Sequence, residues 1–399
     1  MIVTQYFWPE NFRINDLCLG LKERNHEVTV LTGKPNYPTG RFFEGYTFAG
    51  KSVEVYKGIK VYRSFIIPRK SGKGINLILN YFSFCFFSSF WTFLIKEKFD
   101  KIFVYEPSPI TVGIPAIVAK FRFKAPIYFW VQDLWPESIT DAGGVKNKMA
   151  IKLTDQLTRY IYSKCHKILV QSEAFLGYIQ SQGVSSHKLL YYPNSTESFY
   201  KVEVPEPSFQ NKFPKGINVL FAGNLGEAQS FDTILESARI IRDKNIQINF
   251  VILGDGRMSE YIKKRIIELK LERLVYLLGA YPSEDMPKFF CCADALLVTL
   301  KKSNIFSKTI PSKLQSYMAC GRPIIASLDG IGAEIVKTAR AGFASPAEDS
   351  EGLASIILDF ISLDDATKKT MGLNARNYYE NHFEREMLLS KLENILNGN

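Results

Sequence analysis

Two series of short β-branched or aromatic runs, each alternating with amphipathic helical stretches, restrict this chain to parallel sheets assembled from βαβ units. In the first series the strand candidates are residues 2–5, 27–31, 60–65, 101–105, 127–131, 167–170 and 189–192. Helices fall between them, for example at 14–24, 110–120 and 148–163. The second series has strands at 218–222, 247–253, 274–278, 295–299 and 323–327. Between the two, residues 194–215 carry Pro205, Pro207 and Pro214 with no sustained periodicity, and read as a linker. The expected fold is therefore α/β, with two Rossmann-like, doubly wound domains at 1–193 and 216–380. A helical stretch at 381–399 either closes the second domain or crosses back to the first. A chain of 399 residues is long enough for two cores. Doubly wound sheets take ligands at the carboxyl ends of their strands, so two in series predict a cleft suited to a two-substrate reaction.

The hydrophobic fraction of 46% and charged fraction of 23% are those of a soluble globular protein. The net charge of +10 is unevenly placed. Residues 1–200 hold 25 Lys and Arg against 15 Asp and Glu, and residues 201–399 hold 25 against 25. The basic half suits an anionic partner, nucleic acid or membrane, although a basic surface also serves solubility alone. Six cysteines include no Cys-x-x-Cys pair and the four histidines do not cluster, so neither zinc nor a disulfide framework is indicated. Met1 runs straight into strand-like residues, which argues against a cleavable signal and for a reducing cytoplasm.

Residues 74–95 contain no charge and hold Phe82, Phe84, Phe86, Phe87, Phe90, Trp91 and Phe93. Arg69, Lys70 and Lys73 stand on one side, Lys96 and Lys98 on the other. Three readings are open. A membrane-spanning helix has the length, but it would interrupt a βαβ series and contains Asn76, Asn80, Ser83, Ser88, Ser89 and Thr92. A buried core helix leaves the basic flanks unexplained. A helix bedded in an anionic membrane surface through 74–98 accounts for both features and favours a lipid-linked partner over nucleic acid.

No Gly-x-Ser-x-Gly elbow or Asp-x-Asp metal pair is present, which disfavours a serine hydrolase and a metal-dependent single-domain transferase. The segment Phe221-Ala222-Gly223-Asn224-Leu225-Gly226 follows a strand and precedes a helix. Glycines there let backbone N–H groups approach a phosphate, though a plain turn has the same look. Pro311 and Ser312 read as a helix start with Gly321 as its stop. Lys308 and Lys313 beside that start are suited to neutralise a diphosphate leaving group, or are merely solvated. In the first series, Gln132-Asp133-Leu134-Trp135-Pro136-Glu137 follows a strand, with Asp133 either a functional acid or a cap. Tyr6-Phe7-Trp8-Pro9-Glu10-Asn11-Phe12-Arg13 occupies the equivalent loop after the first strand, where Arg13 can reach a phosphate.

These segments resemble the GT-B family of retaining glycosyltransferases (group 1, family 4 type) that assemble bacterial polysaccharides. The likeness runs over essentially the whole chain. It includes Gln5-Tyr6-Phe7-Trp8-Pro9-Glu10, His26-Glu27-Val28-Thr29-Val30-Leu31-Thr32-Gly33, Asn36-Tyr37-Pro38, the Gln132–Glu137 run, Phe221-Ala222-Gly223-Asn224, Leu253-Gly254-Asp255-Gly256 and Ala319-Cys320-Gly321-Arg322-Pro323. The nearest subgroup is the L-fucosaminyl transferases of O-antigen and capsule assembly. The resemblance implies a UDP-N-acetyl-L-fucosamine donor, an undecaprenyl-diphosphate-linked saccharide acceptor, no nucleic acid, no cofactor and no metal. It implies a peripheral or monotopic site at the cytoplasmic face of the inner membrane.

By this resemblance the donor lies on the second domain, at Gly223, Asn224 and Leu225, with the base near Ala280 and Tyr281, and with Ser312 and Gln315 in contact. Gln315 stands where the family has its ribose-binding glutamate, and Ser307 where it has a partner glutamate. Asn224 and Gln229 or Ser230 replace the family's Arg and Lys after the glycine loop. Lys308, Lys313 and Arg13 then remain as phosphate partners, and Asp133 (or Gln132) takes the place of a first-domain histidine. Asn36, Tyr37 and Glu137 fall on the acceptor side. Retention by front-face attack, with the departing phosphate accepting the acceptor's proton, needs no protein nucleophile and leaves positioning and charge stabilisation to the protein. Two rivals are a nucleotide-sugar epimerase of the same architecture and a non-catalytic membrane-bound assembly component.

Overall fold

A computed structural model describes residues 1–70, 74–141 and 147–398; Lys73, one of the basic flanks above, lies outside the described residues. The chain forms two compact units, Met1–Pro193 with Glu386–Asn399, and Asn194–Arg385.

The first unit is built on eight strands, β1 (Ile2–Val3), β2 (Thr29–Gly33), β3 (Val53–Tyr56), β4 (Ile59–Ser64), β5 (Ile102–Glu106), β6 (Ile127–Val131), β7 (Lys167–Val170) and β8 (Leu189–Tyr191). Their order is β3-β4-β2-β1-β5-β6-β7-β8, parallel throughout except for the β3–β4 hairpin. The central strands read as unbroken apolar runs because helices cover both faces of a parallel sheet. Every residue of β5 and β6 is buried. Alternate side chains feed two cores, Val3, Val104 and Phe129 on one face and Ile2, Phe103 and Trp130 on the other.

The helix Arg385–Asn397 completes the second of those faces, inserting Leu388, Leu389, Leu392 and Ile395. Arg24 pairs with Glu386 at 2.8 Å and with Glu393 at 2.7 Å, and His26 meets Glu393 at 2.8 Å. Leu392 is fully buried, so Leu392→Ala is expected to lower stability by about 2–5 kcal/mol in urea denaturation.

The helix Gly74–Leu94 connects β4 to β5 and is amphipathic with its polar side inward. Asn80, Ser83, Ser88 and Thr92 are buried, together with Phe84. Asn80 donates to the Ile67 carbonyl at 2.6 Å and accepts from Gln5 Nε2 at 2.7 Å, and Ser88 donates to Ser64 at 2.7 Å. Ile75, Leu79, Phe82, Phe86, Phe90 and Phe93 are exposed. Their three- and four-residue spacing puts them on one helical stripe.

The second unit has strands β9 (Asn218–Ala222), β10 (Asn249–Leu253), β11 (Val275–Gly279), β12 (Ala295–Thr299), β13 (Ile324–Ser327) and β14 (Gly342–Ser345), ordered β11-β10-β9-β12-β13-β14 and all parallel. Residues 194–215 belong to this unit. They include a helical turn at Pro207–Gln210, and Thr196 shares a 2.9 Å hydrogen bond with the Tyr379 hydroxyl. Strand order reverses between β1 and β5 in the first unit and between β9 and β12 in the second. Ligand sites of doubly wound sheets form at such switch points.

Candidate active site

At the carboxyl edge of the second unit's sheet the loop 223–226 leaves β9, the strand beside the switch point, and the loop 254–256 leaves its neighbour β10. The two are pressed together backbone to backbone. A Cβ on Gly254, at φ +139°, would stand 1.9 Å from the Gly223 carbonyl oxygen, and one on Gly256 would stand 2.4 Å from that of Leu225. Gly223 N–H donates to Leu253 O and Leu225 N–H to Asp255 O, both at 2.9 Å. Only glycine permits this approach, which produces a shallow backbone cradle at the strand ends. Gly254 N–H also donates to Gly279 O at 2.8 Å, so the turn with exposed Ala280 and half-buried Tyr281 adjoins the cradle. Tyr281 packs on Phe289 with centroids 4.5 Å apart.

Lys313, in the first turn of the helix Ser312–Ala319, lies over this cradle. A Cβ on Gly223, at φ +134°, would come 2.6 Å from Lys313 Cε, which places the end of the lysine side chain directly over the glycine. The ammonium donates to Gln229 Oε1 and sits 3.6 Å from the Phe221 ring centroid. Among the described residues no carboxylate pairs with it, and burial holds its pKa well below the ordinary lysine range. A cation kept in low dielectric without a counter-ion is a strong electrostatic partner for an incoming anion. Lys308 ends the turn Phe306–Lys308 half-buried, and Ser312 is exposed at the helix start. Tyr317 fixes the base of the arrangement: its hydroxyl accepts from Ala222 N–H at 2.9 Å and contacts Ala222 O at 3.2 Å. Nothing in the sequence singled out Tyr317, whose partner lies 95 residues away.

Gln315 is not presented at this edge. It is fully buried, its Nε2 donates to Asn194 O at 2.7 Å, and its Oε1 is enclosed with no hydrogen-bond partner among the described residues. It ties the residues after Pro193 to the unit's interior.

In the first unit the corresponding edge gathers a second polar cluster. Asp133 follows β6, and burial pushes its carboxyl up to about 7. Fully buried Glu106, the last residue of β5, is held well above the usual carboxylate range by burial and then by Asp133. Two carboxyls at adjacent strand ends resist carrying two charges, which is why Asp133 adds to the upward shift at Glu106. Glu106 escaped the sequence reading because an acid ending an apolar strand looks like an ordinary strand terminus.

Tyr6 stacks on Phe12 at 4.9 Å and meets Tyr37 at 5.6 Å, while the Arg69 guanidinium lies 4.9 Å from the Tyr37 ring. Tyr6 is buried, so the exposed part of this cluster is Tyr37 with the Arg69 guanidinium against its ring, a pairing suited to a sugar or diphosphate acceptor. Arg13 is half-buried at the start of the helix Arg13–Glu23 beside it.

Two further candidates are spent inside the unit. Asn36 is buried, donating to Lys34 O at 2.9 Å and accepting from Arg69 N–H at 3.1 Å. Its backbone N–H and that of Tyr37 donate to Glu10 Oε1 at 2.8 and 2.7 Å. Glu10 is thus the anchor of both loops, and burial pushes its carboxyl up to about 7. Glu137 accepts from the Tyr178 hydroxyl.

The raised carboxyls have a measurable sign. A group whose pKa rises on folding contributes stability below its unfolded value that is lost as pH climbs through the folded value. For Asp133 that window runs from about 4 to about 7. Asp133→Asn is expected to narrow the loss of stability between pH 5 and pH 8 in thermal melts at the two values.

Residues 11–195 match the glycosyl transferase 4-like domain, and residues 205–378 match the glycosyl transferases group 1 domain. The chain belongs to this glycosyltransferase family. Among its relatives, the probable glycosyltransferase WbjE of Pseudomonas aeruginosa is 28% identical over 267 residues, 65% of each chain. The amylovoran biosynthesis glycosyltransferase AmsK of Erwinia amylovora is 27% identical over 181 residues, 45% of this chain and 44% of its own. The matches thus span under two thirds of the length of these relatives. The Anabaena protein HepE in complex with UDP superposes with a TM-score of 0.72 at 15% identity, covering 100% of this chain and 99% of its own. That likeness fixes the GT-B fold for this glycosyltransferase-family chain.

Proposed function

We propose that this protein transfers a sugar from a UDP-sugar to a polyprenyl-diphosphate-linked acceptor during bacterial surface polysaccharide assembly, with retention at the anomeric carbon. The observation that carries the reading is Lys313, whose buried ammonium has no carboxylate partner among the described residues and lies over a glycine cradle beside a Rossmann switch point. A departing diphosphate would be held by that charge and by backbone N–H groups, so no divalent ion is invoked. The UDP held by HepE supports uridine as the nucleotide. N-Acetyl-L-fucosamine as the donor sugar rests on the sequence resemblance alone.

The acceptor would occupy the Tyr37, Arg69 and Asp133 edge of the first unit. The exposed aromatic stripe of the Gly74–Leu94 helix supports a peripheral seat at the cytoplasmic face of the inner membrane, where such acceptors reside. Both candidate sites would supply positioning and charge stabilisation, the departing phosphate taking the acceptor's proton.

The test is UDP release from a panel of UDP-N-acetyl sugars, with and without a polyprenyl-diphosphate-linked N-acetylglucosamine in detergent. Release confined to one sugar and dependent on the lipid-linked acceptor is the expected result. Donor interconversion without UDP release would instead mean an epimerase, and binding without any chemistry an assembly component.

A further inference from the structure

At the opposite, amino-terminal edge of the first unit's sheet there is a cavity of about 760 Å³ that the proposed reaction does not use. Its ionisable lining consists of Lys120, Lys124, Lys167, Lys188, His166 and His187, with no acid among the lining residues. We propose that this cavity is a phosphate-binding site that takes the headgroup of an anionic phospholipid.

The cations are held in place rather than loosely scattered. Lys120 Nζ donates to Lys164 O at 2.6 Å, Lys167 Nζ to His187 O at 2.8 Å and Lys188 Nζ to Ser163 O at 3.5 Å. Two of these acceptors belong to the last turn of the helix Lys148–Lys164, where carbonyl groups and the helix dipole attract cations. An ammonium has three donors, so each of these lysines keeps two for a ligand. Lys124 is exposed at the left-handed end of the helix Gly113–Phe123. His166 registers the crowding: burial first, then Lys167, Lys101, Lys120 and Lys188, push its pKa below the ordinary value of 6.5. Like charges gathered without a counter-ion are relieved by an anion.

The surroundings argue for a lipid as the source of that phosphate. Phe121, in the cavity wall, is 68% exposed. Its helix packs against Gly74–Leu94, and both helices end at this sheet edge, since each leads into the start of the next strand. Tyr160 is exposed in the last turns of the helix Lys148–Lys164, whose carboxyl end lines the cavity and which packs on the Gly113–Phe123 helix. Apolar side chains bordering a basic cavity match a bilayer's acyl region beneath its headgroups. This choice of source rests on the membrane reading of the Gly74–Leu94 stripe; the phosphate site itself does not.

The test uses the full chain with isotope-labelled histidine, following the His166 ring by NMR, and vesicle flotation. Inorganic phosphate is expected to raise the His166 pKa in the native protein and not in Lys124→Gln/Lys167→Gln/Lys188→Gln. The same variant should bind phosphatidylglycerol-containing vesicles roughly 100-fold more weakly, with near-native melting. If it fails to fold, Lys124→Glu, at an exposed position, gives the same comparison with a smaller loss. A Phe82→Ser/Phe86→Ser/Phe90→Ser variant should lose vesicle binding but keep the phosphate response of His166. An unmoved His166 in the native protein overturns the site. A moved His166 with undiminished vesicle binding by the lysine variant, or equal native binding to pure phosphatidylcholine, overturns the lipid assignment.

Discussion

Replacing Lys313 by methionine is expected to cut turnover about 10²–10³-fold while leaving the second unit as stable as the native one, or more so. The two effects have one origin. The ammonium is buried beside the Phe221 ring with a neutral amide as its hydrogen-bond acceptor. Its charged form is therefore disfavoured by folding, and an isosteric apolar side chain removes that cost. The native unit should also gain stability as pH rises from the lysine's lowered pKa toward its ordinary 10.5, because the unfolded chain binds the proton more tightly in that window. The variant should lack this rise. UDP release and melting between pH 7 and pH 10 measure both halves, and native turnover in the variant would remove Lys313 from the mechanism.

The second large effect is expected on the membrane. Phe82, Phe86 and Phe90 are 60%, 70% and 59% exposed. Serine at all three should leave thermal unfolding within about 1 kcal/mol of native, as exposed substitutions do. If these rings bed into a bilayer, each contributes about 1.5–3 kcal/mol, and the triple variant should partition more than about 10³-fold less well into anionic vesicles. Equal partitioning of the two proteins would end the interfacial reading. Native protein that resists alkaline extraction from membranes would point to a spanning segment instead.

Much of the scaffold was legible because parallel strands covered on both faces must be continuously apolar. The runs at β5, β6, β9 and β10 could hardly be anything else. Two strands were missed for opposite reasons. β3 reads Val-Glu-Val-Tyr, a short edge strand with exposed residues, and β14 reads Gly-Phe-Ala-Ser, whose small residues give little strand signal. The 194–215 stretch announced a boundary by its prolines, but side-chain hydrogen bonds that bind it into the second unit leave no local mark.

The candidate sites were legible where chemistry needs a glycine or a charge next to a strand end, as at Gly223, Lys313 and Asp133. They were not legible where a polar side chain turns inward. Gln315 and Asn36 have the composition of ligand contacts, and only packing shows that their hydrogen bonds are spent internally. The basic cavity was out of reach for a third reason. Its lysines and histidines come from three separate stretches of sequence, and only the helix ends bring them together.

The path of the chain has a consequence for biosynthesis. The first unit is assembled from two separate stretches, Met1–Pro193 and Glu386–Asn399, with Asn194–Arg385 inserted between them. On the ribosome, the inserted unit can finish folding while the unit that started first still lacks Leu388, Leu389, Leu392 and Ile395. Until residues 386–395 have been made, the core that includes Leu21 and Trp130 has an open side, and a nascent chain stalled short of residue 386 presents an apolar surface to chaperones and proteases. Burial of that surface is thereby coupled to synthesis of the helix Arg385–Asn397.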